Sequence, residues 1–354
     1  MARGAPPPRG VVTPATWPRD EPREERLLLL DPAARTWTDA RFGDLPGVLG
    51  HGDLLVVNDA ATLPASLRGR TEAGQEVEVR LAGRAAGGEW WAVLFGAGDW
   101  RTRTEDRDAP PVLRPGQRIA LGGDFLAEVR AVDPASARLV RLRFDRGGPA
   151  LWTALYRHGR PIQYAHVRAP LALWHVQTGY AARPWAVELP SAGRALSAGL
   201  RRDLADRGVR LAGVTHAAGL SATGDPALDA RLPLPEQFEI GARTVSAIAA
   251  ARAQGGRVVA VGTTVVRALE GQAARHGGRI QAGAGVTDLV IGAGHRPRVV
   301  DGLLTGLHEP GSSHFELLQA FAPRDLLAAA HAHAAAHGYL AHEFGDSCLI
   351  LRAS

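Results

Sequence analysis

Short apolar runs recur along the chain, and most of them end in a cluster of polar turn residues. Arg26 to Asp31, Leu54 to Val57 and Val258 to Val261 read as buried strands, and Val209 to His216, Gly285 to Ile291 and Val299 to Thr305 are further strand candidates. Glu343 to Leu351 reads as a polar turn followed by another such strand. Between them the spacing becomes helical: Leu151 to His158, Ser197 to Arg207, Gly241 to Gln254, His314 to Phe321 and Asp325 to His337, with a short helical or turn segment at Phe42 to Leu49. From Arg68 to about Arg146 the period drops to two. Glu76 to Leu81, Glu89 to Phe95, Arg118 to Leu121, Ala127 to Val132 and Ala137 to Phe144 alternate, separated by Gly, Asp and Pro turns. The pattern predicts an α/β protein interrupted by a small antiparallel sheet or barrel.

One stretch joins both periodicities. Arg257 to Glu270 reads R-V-V-A-V-G-T-T-V-V-R-A-L-E, a buried strand that turns through Gly262 and enters a helix at Thr263 and Thr264. Glycine permits close backbone approach there, and free helix N–H groups point the same way as the two hydroxyls. The competing reading is that Thr263 or Thr264 serves only as an N-cap. Other strand ends carry Asn58, Asp59, His216, His308, Ser312, Ser313 and Asp346. Gathered at one sheet edge, these would bind a polar, hydroxyl-rich ligand. Asn58 and Asp59 also suit an Asx turn.

Composition narrows the chemistry. The chain has 354 residues, 45% of them hydrophobic, which is enough for a substantial core and about two domains. All positive side chains are arginine, so Schiff-base and P-loop lysine chemistry is excluded. The net charge of +5 is compatible with a polyanion such as RNA, although the arginines are scattered. The single cysteine, Cys348, rules out an internal disulfide and fits a reducing cytoplasm. No apolar run approaches membrane-spanning length, and the Pro- and Arg-rich residues 1–24 look like a flexible lead-in rather than a secretory signal. His331, His333 and His337 lack the glutamate of a zinc-protease helix, and no metal is expected.

Five stretches, in order, resemble the S-adenosylmethionine:tRNA ribosyltransferase-isomerase family of the queuosine pathway. They are Gly52 to Arg70, Arg257 to Glu270, Thr287 to Ile291, Val299 to Ser313 and Phe344 to Ile350; Leu189 to Gly193 is a weaker match. The resemblance implies a distorted, barrel-like mixed sheet flanked by helices, with the main α/β domain at 25–67 and 147–354 and a small all-β inserted domain at 68–146. It also implies transfer and isomerisation of the ribosyl group of S-adenosylmethionine onto a 7-aminomethyl-7-deazaguanine base in tRNA. Epoxyqueuosine forms, and adenine and methionine leave.

S-adenosylmethionine is then a substrate, with no permanently bound cofactor. The partner is tRNA, no membrane is involved, and the protein works as a cytoplasmic monomer. Carried onto these motifs, His308, His216 and Asp346 are candidate catalytic residues. Asn58, Asp59, Arg68, Gly262, Thr263, Thr264, Arg267, Asp301, Ser312, Ser313 and Gly345 are candidate substrate-binding residues. The chain departs from the family pattern at Ala195 (a family histidine), Leu196 (phenylalanine), Gly311 (lysine) and Glu343 (serine), and in the glycine spacing after His216. Those departures leave open a same-scaffold enzyme with a small-molecule or other acceptor, or a non-catalytic RNA-binding relative.

Overall fold

The computed structural model describes residues 11–352. Its backbone is a nine-stranded mixed sheet in the order Gly283–Thr287, Glu236–Ile240, Arg210–His216, Leu54–Asn58, Val258–Val261, Gly302–Gly306, Ser347–Leu351, Arg26–Asp31 and Thr36–Arg41. The four strands 210–216, 54–58, 258–261 and 302–306 are adjacent and parallel. Strands 54–58 and 258–261 are the ones whose nearly uninterrupted apolar character predicts burial on both faces. Leu54, Leu55, Val56, Val258, Val259 and Ala260 are fully inaccessible. Each buried valine or leucine contributes roughly 1.5–3 kcal/mol before entropy is charged against it.

Two apolar layers cover this sheet. On one side pack the helices Ala242–Ala253, Thr263–Arg275, Ser313–Leu318 and Arg324–Ala336, through residues such as Ile248, Val265, Leu269, Phe315 and Leu327. The other layer holds Phe42, Leu45, Ala195, Leu196, Leu200 and Leu204. Ala195, where the family pattern has histidine, is 1% exposed within that apolar layer.

The period-two region forms a closed barrel of six strands: Ser66–Thr71, Glu76–Arg84, Trp90–Phe95, Arg118–Ala120, Leu126–Asp133 and Ser136–Phe144. It has its own core around Val79, Phe95, Ile119, Phe125 and Leu142. The closed barrel is therefore this small unit, while the large mixed sheet has free edges. Strand Thr36–Arg41 escapes sequence reading because it is polar and lies at the sheet edge.

Residues 1–10 of the expected lead-in lie outside the described residues. Residues 11–24 differ from the expectation. Val12 and Ala15 are buried, Thr13–Pro14 pair in parallel with Leu340–Ala341, and Pro22–Glu24 form a 3-10 turn. Two small apolar side chains among prolines give no periodic signal, yet they are enough to tie the segment down.

Candidate active site

Because the four central strands are parallel, their carboxyl ends fall on one edge, and the residues that follow each strand meet there. Asn58 ends one strand and clamps the next. Its Oδ1 accepts from the His216 backbone N–H at 3.0 Å, and its Nδ2 donates to the His216 carbonyl at 3.0 Å. The same Nδ2 reaches Thr264 Oγ1 at 3.4 Å, across strand 258–261. Gly262 occupies the cap position of helix Thr263–Arg275 with φ 95° and ψ 151°, and no side chain caps it. Neither threonine is thus an N-cap. Thr263 is buried and Thr264 is half-buried.

His216 is fully inaccessible, and neither of its ring nitrogens has a hydrogen-bond partner. Glu236 Oε2 lies 3.5 Å from its Nε2. Burial, reinforced by the Arg267 charge, pushes the imidazole down to about 3. Arg267 reaches over from the first turns of helix Thr263–Arg275 to pair with Glu236, and its Nε donates to the Leu289 carbonyl at 3.2 Å. Glu236 also accepts from the Gly219 N–H at 2.6 Å. Burial raises the Glu236 carboxyl and lowers the Arg267 guanidinium, and their mutual attraction opposes both shifts.

His308 follows the next strand. Its Nε2 is 2.8 Å from Thr305 Oγ1, and its ring stacks on His314 at 4.9 Å and 13°. Burial, then the neighbouring His314, His342 and His331, hold His308 well below its ordinary value. His314 is lowered by burial and by Arg267. Both imidazoles are neutral at physiological pH.

The remaining candidates separate. Asp59 sits at the same edge and accepts from Thr215 Oγ1 at 2.6 Å. Asp346 begins strand Ser347–Leu351 at this edge, but its carboxylate is already filled. It accepts from Arg19 at 2.6 Å and from the N–H groups of Arg26 at 2.8 Å and Leu340 at 2.7 Å. Gly345 is fixed by space, since a Cβ there would lie 2.4 Å from the Leu340 carbonyl oxygen. Ser312 is the N-cap of helix Ser313–Leu318, accepting from Phe315 N–H at 3.2 Å, and Ser313 is exposed.

Two candidates lie away from this edge. Asp301 precedes its strand, and its Oδ2 accepts from Val258 N–H at 2.9 Å at the opposite, amino end of the sheet. Its motif is contiguous with His308, but a strand's length separates them. Arg68 belongs to the small barrel, 67% exposed and 3.4 Å from Asp99.

Sequence reasoning missed Glu236, His314 and Arg194. Glu236 heads an alternating strand, Glu236–Ile240, and a buried carboxylate in that place was the available signal. Arg194 pairs with Glu25 in a buried contact beside Phe344, and burial lowers it to about 10.

A second cluster borders the edge. His166 Nε2 is 3.0 Å from Glu343 Oε2, and donor atoms of His166, His342 and Glu343 lie within 4.8 Å of one another. The His166 and His342 rings, however, stack at 4.4 Å with an interplanar angle of 29°. A coordinated ion lies in the plane of each imidazole, and two such nearly parallel rings do not converge on one point. The cluster is a stacked pair of imidazoles with a His166–Glu343 hydrogen bond.

A family model described as "Queuosine biosynthesis protein" matches residues 12–350. An S-adenosylmethionine:tRNA ribosyltransferase-isomerase of Acidithiobacillus ferrooxidans is 38% identical over 94% of this chain and 93% of its own. One from Anaeromyxobacter dehalogenans is 38% identical over 98% and 97%. The crystal structure of S-adenosylmethionine tRNA ribosyltransferase from Thermotoga maritima covers 96% of each chain with a TM-score of 0.52 and 24% identity, a likeness of fold.

Proposed function

The chain belongs to the queuosine biosynthesis protein family, and from that premise we propose that it is an S-adenosylmethionine:tRNA ribosyltransferase-isomerase. It moves the ribosyl group of S-adenosylmethionine onto 7-aminomethyl-7-deazaguanine in tRNA and releases adenine and methionine. The observation that carries the reading is the meeting of Asn58, His216, Thr264 and His308 at the ends of adjacent parallel strands, where three of the matched motifs converge.

The chemistry suits that edge. The sulfonium acidifies the neighbouring 5′ carbon, so a neutral imidazole suffices as base. His308, neutral and partly exposed, is that base, with Thr305 fixing its Nε2 and His314 its ring plane. Thr263 and Thr264, with the free N–H groups of the helix start, hold the polar groups of the donor. His216 is too deeply buried for proton traffic with solvent. Asn58 fixes its backbone, and Glu236 Oε2 lies 3.5 Å from its ring below the edge. Asp346 braces the edge through Arg19 and Arg26.

No helix among the described residues is long and apolar enough to cross a membrane. The reading extends to a cytoplasmic monomer, in keeping with a single, buried cysteine.

The test is adenine release from S-adenosylmethionine, with and without tRNA carrying the deazaguanine base. Release that requires the modified tRNA supports the reading; release that is equal without RNA sinks it. Thr264→Val weakens S-adenosylmethionine binding with little loss of stability if the hydroxyl holds the donor, and unchanged binding removes Thr264 from the site.

A further inference from the structure

The segment from Arg157 to Arg201 carries six arginines, four Trp or Tyr side chains and a single acidic residue, Glu188. It frames the edge described above. Gln177 bonds both the N–H and the carbonyl of Thr62, at 3.0 and 2.9 Å, and Ala182 N–H donates to the Asp59 carbonyl at 2.8 Å. Arg183 and Arg194 are spent on Glu239 and Glu25. Arg157, Arg160 and Arg168 are exposed and have no carboxylate partner among the described residues.

Within this frame Trp174 is 76% exposed, unusual for so large an aromatic side chain. It does not stand alone. Its ring is 5.5 Å from His175, which lies 4.8 Å from Trp17, and the Arg168 guanidinium covers Trp17 at 5.2 Å. The platform is rigid from below. His175 Nδ1 accepts from Ala172 N–H at 2.9 Å, and Trp17 packs in the cluster of Val167, Leu171, Val176 and Phe344. Phe344 and Leu189, which pack in the same cluster, lead directly into the edge motifs at Gly345 and Pro190.

We infer that Trp174, with His175, Trp17 and Arg168, is a stacking platform for an unpaired base of the tRNA. The inference rests on the proposed function and adds where the RNA lies. Flat aromatic faces accept any base by stacking, and the adjacent Arg168, which has no carboxylate partner among the described residues, neutralises a flanking phosphate. A protein partner would need an apolar rim around the tryptophan, whereas the surroundings are imidazole and guanidinium. The apolar cluster beneath Trp17 links the platform to the segment that leads into Gly345.

The test is equilibrium binding of unmodified tRNA transcript to the full chain and to Trp174→Ala, Trp174→Phe and Arg168→Ala, with S-adenosylmethionine binding measured alongside. Trp174→Ala is expected to weaken tRNA binding about tenfold, as loss of one stacked base does, and Trp174→Phe to restore most of it. Arg168→Ala lowers the slope of log affinity against log salt by about 0.7 to 0.9. S-adenosylmethionine binding stays unchanged in all three. If the unaltered protein binds tRNA and Trp174→Ala binds it equally well, the platform is wrong and the proposed function stands. If Trp174→Ala loses both ligands together, its effect is structural and the platform is likewise overturned. If the unaltered protein binds no tRNA, both readings fall.

Discussion

The side-chain amide of Asn58 bonds both backbone groups of His216, taking its N–H at 3.0 Å and giving to its carbonyl at 3.0 Å. The amide continues the ladder of two parallel strands past the point where strand 54–58 stops, with the same donor and acceptor pattern as a peptide. Asn58→Asp keeps the acceptor but sets a carboxylate oxygen against the His216 carbonyl. The expected cost is about 1–3 kcal/mol, because a buried acceptor loses its donor. Urea denaturation reads this directly, and adenine release should fall with it, since the same amide reaches Thr264.

Arg267 and Glu236 are both almost inaccessible, at 5% and 8%. Removing one charge strands the other. Arg267→Met should destabilise by about 3–5 kcal/mol, whereas Arg267→Met with Glu236→Leu should recover a large part of that loss. A double-mutant cycle by chemical denaturation separates the two cases, and additive losses would show that the pair is not coupled.

Gly262 has room for a methyl group, with its nearest neighbours, the Ala192 Cβ and Thr264 Oγ1, both at 3.6 Å. Its φ of 95° with ψ of 151° is the difficulty. Gly262→Ala should therefore cost about 1–3 kcal/mol through backbone strain alone. The strain falls where the helix start faces the proposed donor, so KM for S-adenosylmethionine should rise while tRNA affinity holds. Unchanged stability would mean that the helix start relaxes freely.

The folded protein keeps His216 neutral down to about 3, while the unfolded chain protonates it near 6.5. Between those values the unfolded state binds the extra proton, so stability falls as pH falls through that window. The loss is up to about 1.4 kcal/mol per pH unit for one imidazole. His308 and His314 act in the same direction. Urea midpoints measured from about pH 7.5 down to 4.5 should decline less steeply for His216→Gln than for the unaltered protein. Parallel curves would show that His216 does not contribute to the acid sensitivity.

Much of the fold is legible in the residues. Leu54 to Val57 and Val258 to Val261 announce buried strands because burial on both faces selects continuous apolar runs, and both strands appear. Gly262 marks the turn between strand and helix. Asp301 shows where linear reading stops. It lies seven positions before His308 in one motif, yet a strand carries the two to opposite sheet edges. Ser312 similarly proves to be a cap, a role set by the local φ and ψ rather than by its place in a motif.

By itself, the sequence determined the buried runs at 54–57 and 258–261 and the change from helical to period-two spacing between them. Hydrophobic periodicity is a local record of burial, and turn residues are a local record of backbone angles. Strand order was decided only in three dimensions. The neighbours of strand 54–58 come from residues 210–216 and 258–261, and nothing local specifies a pairing across such distances. Antiparallel pairing of 236–240 with 210–216 brings Glu236 to His216, and the turn after strand 302–306 lays His314 on His308. Partnership across strands is a property of the packed sheet, since local periodicity holds no record of which strands pair.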